Sequence, residues 1–67
     1  MHDDDEDKVY VVTRQDLDPP GQRVVVYAGS DWEAAEDAFN EPAKDYRFEL
    51  VQWRNGKPHT APAIRRT

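Results

Sequence analysis

Three stretches of this chain are patterned for β-strands, and one, between the second and third, is patterned for a helix. Residues 8–14 read Lys-Val-Tyr-Val-Val-Thr-Arg, with Val9, Val11 and Thr13 on one face and Tyr10 and Val12 on the other. Residues 23–28 form the second strand, built on Val24, Val25, Val26 and Tyr27. Between them, residues 15–22 read as a long hairpin loop, in which Pro20-Gly21 suits a type II turn because proline fixes φ and glycine accepts φ > 0. The third strand, residues 46–53, alternates cleanly: Tyr46, Phe48, Leu50 and Gln52 oppose Arg47, Glu49, Val51 and Trp53.

The helix is announced by Ser30-Asp31-Trp32-Glu33, which has the form of a capping box with Ser30 as the cap. It is predicted from residue 31 to about 40, ended by Pro42. Trp32, Ala35, Ala38 and Phe39 make a single apolar stripe, so the helix is expected to pack by Trp32 and Phe39. Asn55-Gly56 signals a tight type I′ hairpin, while Pro58 and Pro62 restrict the C-terminal residues to a short edge strand or a flexible basic tail that frays at its end. The predicted fold is α+β: a small ββαβ(β) domain with a mainly antiparallel sheet of three to four strands, covered on one face by a single helix. The predicted strand order is 2-1-3 or 2-1-3-4. Residues 1–7 read as a disordered acidic arm, 8–56 as the domain and 57–67 as the edge strand or tail.

A chain of 67 residues with no cysteine has a small core and must rely on packing, or on packing plus a partner. No apolar run approaches the roughly 18–20 residues of a membrane span. The run His2-Asp3-Asp4-Asp5-Glu6-Asp7 is the opposite of a secretory signal. A cytoplasmic protein is therefore expected. Its charge is sorted along the chain. Residues 1–45 carry thirteen carboxylates against four basic side chains, and residues 46–67 carry one against five. Such asymmetry steers charged partners, a matter of association rather than of chemistry.

Chemistry itself finds little support. Asp3, Asp5 and Asp7 begin like a calcium loop, but Lys8 and Arg14 stand where the loop needs glycine and a bidentate glutamate, and a register from Asp16 meets Pro20 and Tyr27. His2 on a tail is a poor metal site. Ser30 is assigned to the cap and His59 to an exposed tail, so no nucleophile, base and orienting group assemble. The Gly29-Ser30 turn lacks the glycines and lysine of a phosphate loop and is flanked by Asp31 and Glu33. No enzyme activity, cofactor or metal is expected.

Binding is the remaining class. Asp31, Glu33, Glu36, Asp37 and Glu41 put five carboxylates on or beside the helix, which reads either as an ordinary solvated face or as a nucleic-acid mimic presented to a basic protein. Arg47, Trp53, Arg54, Lys57, Arg65 and Arg66 form the alternative site, on which bases could stack and phosphates pair. Trp53 is equally readable as an interface anchor or as a second layer of core. By exclusion, the chain reads as a small non-enzymatic protein-binding module, an inhibitor or modulator that docks on a larger cellular protein. Phage origin and DNA mimicry are the sharper forms of that reading. The alternative is a nucleic-acid-associated module using the basic C-terminal segment. A homodimer by edge-strand pairing is a third arrangement.

Overall fold

A computed structural model describes residues 8–17 and 20–67; the acidic arm expected at residues 1–7, with His2, lies outside the described residues. Five strands and one helix occur in the order β1 Lys8–Leu17, β2 Pro20–Gly29, α1 Trp32–Phe39, β3 Tyr46–Arg54, β4 Lys57–Pro58 and β5 Ala63–Arg66. The sheet order is β2-β1-β3-β4, every pairing is antiparallel, and β5 joins the same edge of β3 as β4. The helix lies on one face, so the α+β architecture and strand order are those the alternation predicts.

The first hairpin differs from expectation. Leu17 pairs with Pro20, which places Pro20 and Gly21 inside β2, and the type II turn predicted there does not form. The arms extend further than propensity suggests because they are tied. Gln15 Nε2 donates to the Gly21 carbonyl at 3.0 Å, and the Leu17 amide donates to the carbonyl of Asp45 at 3.0 Å. Asp45 itself takes the left-handed conformation (φ 66°), which aspartate tolerates better than most residues. A bulge between Val12 and Thr13 leaves Val26 as an extra residue in β2, and both Val26 and Tyr27 then pack against the core.

That core is small. Among the described residues only Tyr10, Val12, Ala35, Phe48 and Leu50 are buried, and four of the five come from the helix-side positions of β1 and β3. The helix contributes Ala35, with Ala38 and Phe39 partly buried beside it. Trp32 does not anchor the helix as expected: it stays 48% exposed and meets Tyr10 edge to face, with ring centroids 5.2 Å apart. A helix close enough to bury Ala35 brings its backbone near the sheet, and the larger Trp32 is left at the margin.

The cap is also displaced by one residue. Asp31, not Ser30, is the N-cap, its Oδ1 accepting from the amides of Glu33 (3.0 Å) and Ala34 (3.3 Å). The reason lies in β2, where the Tyr27 hydroxyl accepts from the Asp31 amide at 3.0 Å and fixes the start of the helix. Gly29 makes room for this contact, since a Cβ there would stand 2.6 Å from the Tyr27 hydroxyl oxygen.

At the other end of the chain, Asn55 (φ 55°) and Gly56 (φ 79°) form the predicted turn into β4, and the His59 amide donates to Gln52 O at 2.7 Å. The last residues, expected to fray, return to β3 as β5, and the Thr67 amide donates to Tyr46 O at 3.0 Å. Arg65 holds them. Its guanidinium lies 4.6 Å from the Phe48 ring centroid, its Nε donates to Phe39 O and its Nη2 to Glu41 O, each at 2.8 Å. The helix has no basic residue in its own last turn, so Arg65 supplies the cation that its C-terminal carbonyls favour.

Both ends of the helix can be tested by stability. In urea unfolding, Asp31→Ala lowers stability by about 1 kcal/mol, whereas Ser30→Ala stays near neutral; the reverse pattern would place the cap at Ser30. Arg65→Ala costs about 1–3 kcal/mol and accelerates amide exchange at Thr67, and Arg65→Lys restores only part of this, because an ammonium cannot stack and fork at once.

Candidate docking face on the open side of the sheet

Among the described residues, the opposite face of the sheet has no helix on it. Strand alternation and register place four rows of side chains there. At one end, Val9 of β1 pairs with Trp53 of β3, which pairs with Pro58 of β4. The next row is Ala28, Val11 and Val51. The third is Val25, Thr13, Glu49 and Ile64, and the last is Arg23, Gln15, Arg47 and Arg66. The surface thus grades from apolar to basic along the strands. Val25 and Ile64 are 59% and 52% exposed, an unusual cost for β-branched side chains in so small a domain.

Glu49 is the one carboxylate in these rows. Its Oε1 accepts from Arg47 Nη1 at 3.1 Å and pairs with Arg23 Nη2 at 3.5 Å, and its side chain is only 15% exposed. The rows carry three guanidinium groups against this one carboxylate.

The carboxylates singled out from the sequence sit on the other layer. Glu33, Glu36 and Asp37 are exposed on the helix, Asp31 is committed to the cap, and Glu41 lies 3.9 Å from Arg14 Nη1. Arg14 is further held over the Tyr46 ring at 4.7 Å. The basic set is divided. Arg47, Trp53 and Arg66 belong to the open face; Arg65 is engaged beneath the helix; Arg54 and Lys57 pair with each other across the β3–β4 hairpin, at positions of the opposite parity from Trp53. Arg54, Asn55, Lys57, Pro58 and His59 line a shallow, open depression at that hairpin. Trp53 is half-buried on the open face, flanked by Val9 and Pro58, so it belongs to the uncovered apolar surface and not to the core under the helix.

Sequence reasoning missed Arg23, Val25 and Ile64 as members of one surface. The alternation of Val9, Val11 and Thr13, and of Val51 and Trp53, signalled a second apolar face. Their juxtaposition with Arg23 and Ile64 required the bulge at Val26 and the return of β5. Elsewhere among the described residues, no three histidine, cysteine or acidic side chains gather as metal ligands, and no helix is long and apolar enough to cross a membrane. Ser30 lies just past β2 at one edge of the sheet, and His59 just past β4 at the other. β2 pairs with β1 alone among the described residues, leaving ten residues of strand as an edge.

Compared with protein-family models, curated proteins and solved structures, the chain matches none, and the reading of this face rests on its own residues.

Proposed function

We propose that the protein is a non-enzymatic protein-binding module, an inhibitor or modulator in effect, that docks on a larger protein through the open face of its sheet. One observation carries this: apolar side chains on the open face, from Val9 and Trp53 through Val51 to Val25 and Ile64 on either side of Thr13 and Glu49, have no described element over them and are bordered by arginines. An apolar centre beside arginine, with charged carboxylates excluded or neutralised, is the composition of the buried part of a protein interface. The reading moves the contact away from the acidic helix, where nucleic-acid mimicry would place it. A nucleic-acid interface gains less support, because the basic residues are divided between two faces and do not form one track.

A second reading has its own observation. The free edge of β2, with Val24 and Val25 exposed, suits sheet extension between two copies.

Affinity capture on the full chain, compared across variants after nuclease treatment, tests the first reading. The captured protein is retained by the Glu33→Gln, Glu36→Gln, Asp37→Asn triple variant and weakened tenfold or more by Val25→Asp with Ile64→Asp, about the effect of burying an unpaired charge. The reverse pattern assigns the contact to the acidic helix. Retention of nucleic acid alone, before nuclease and not after, assigns it to the basic residues. Sedimentation at two concentrations addresses the second reading: a mass that rises with concentration, and falls back to the monomer in Val24→Lys, supports pairing through β2, and a monomer throughout removes it.

A further inference from the structure

Arg47 of β3 and Arg66 of β5 are directly opposed in the antiparallel register, on the same open face. Like charges in that relation destabilise a sheet. Arg23 reaches the same region from β2, and Glu49, the one carboxylate in these rows among the described residues, is already shared between Arg23 and Arg47 through one oxygen. Arg66 is exposed. A chain with net charge −5 therefore sets two guanidinium groups on one little-exposed carboxylate and a third, Arg66, opposite one of them in register, at one end of the open face. Glu49 fixes the orientation of two of them without satisfying the group: each guanidinium has five N–H donors, and two contacts to one oxygen leave most of them open.

We infer that Arg23, Arg47 and Arg66 form a carboxylate-binding site, which grips acidic side chains of a partner protein when its apolar surface covers Val25 and Ile64. This rests on the docking reading and names the chemistry of the partner. The arginine fork pairs bidentately with carboxylate or phosphate, so the surroundings must choose between them. They favour carboxylate on a protein. The neighbours of the arginines are Val25, Ile64 and Thr13, which offer no platform for stacking bases. Trp53, the aromatic residue of this face, is six positions from Arg47 along β3, about 20 Å away at strand spacing. Glu33, Glu36 and Asp37 on the helix layer would also repel a long polyanion, whereas a few carboxylates set in an apolar surface meet only the basic end.

The test uses the isotopically labelled full chain at low salt, with an end-blocked glutamate-rich peptide and oligothymidylate as the two probes. The peptide shifts the amide signals of Arg23, Arg47 and Arg66 and leaves Arg54 and Lys57 unmoved. Arg66→Gln weakens it about tenfold, the value of one charge-assisted contact, and Arg66→Lys weakens it by less. Absence of shifts at the three arginines, or an unchanged affinity in Arg66→Gln, overturns the assignment. Tighter binding of oligothymidylate at the same residues overturns it in favour of nucleic acid. The two readings fail separately: a captured partner that is lost on Val25→Asp with Ile64→Asp but indifferent to Arg66→Gln keeps docking and removes the carboxylate site. Peptide binding at the arginines by a chain whose captured partner ignores Val25 and Ile64 does the converse.

Discussion

A helix of eight residues is about 12 Å long, and a strand of ten residues about 33 Å, so α1 can cover only part of one face of this sheet. The described fold measures 45 Å in its longest dimension and 20 and 16 Å in the others. With one short helix in the described fold, Tyr10, Val12 and Leu50 cluster with Ala35, Phe48 is buried under the Arg65 guanidinium, and the apolar rows on the far side of the sheet have no covering layer among the described residues. The uncovered rows are thus a direct consequence of having two sheet faces and one helix. Within the described fold no element covers them, and on this ground we propose docking.

Holding even this small core together requires an unusual connector. There is no disulfide, and the helix has no basic residue to complement its C-terminal carbonyls. Arg65 does both tasks from β5: it stacks on Phe48, donates to Phe39 O and Glu41 O, and thereby binds the end of the chain to the end of the helix across the core. A mirror arrangement operates at the helix start, where the Tyr27 hydroxyl on β2 receives the Asp31 amide and Asp31 caps the first turn. Both ends of α1 are set by residues of the sheet. The polar contacts at both ends add to the packing of Ala35, Ala38 and Phe39, and of Trp32 against Tyr10, in holding the helix over the sheet.

The charge sorted along the sequence becomes charge sorted between layers. Glu33, Glu36 and Asp37 face solvent on the helix side, while Arg23, Arg47 and Arg66 lie on the open side of the sheet. A partner approaching the open face meets apolar surface and a basic end; one approaching the helix meets carboxylates. Such a field orients encounter as well as strengthening it. Arg14 and Glu41 belong to neither pole, being drawn together near the Tyr46 ring.

Local pattern determined the elements: period-two alternation in Tyr46 to Trp53, the helical stripe from Trp32 to Phe39, and the Asn55-Gly56 turn are each encoded within a few residues, because backbone geometry alone dictates which side chains share a face. The strand order followed from connectivity, since a right-handed crossover through the helix sets β3 parallel to β2 and so antiparallel to a central β1 that pairs with both. Only the tertiary structure decided the rest. The local capping-box pattern points to Ser30, but Asp31 is the cap, its amide held by a tyrosine hydroxyl on a neighbouring strand. Arg65 and Arg66 are adjacent in sequence and look alike, yet strand parity sends one under the helix and the other to the open face. The juxtaposition of Arg23, Arg47 and Arg66 depends on four strands in register and on a bulge at Val26, contacts between distant parts of the chain that no local pattern contains.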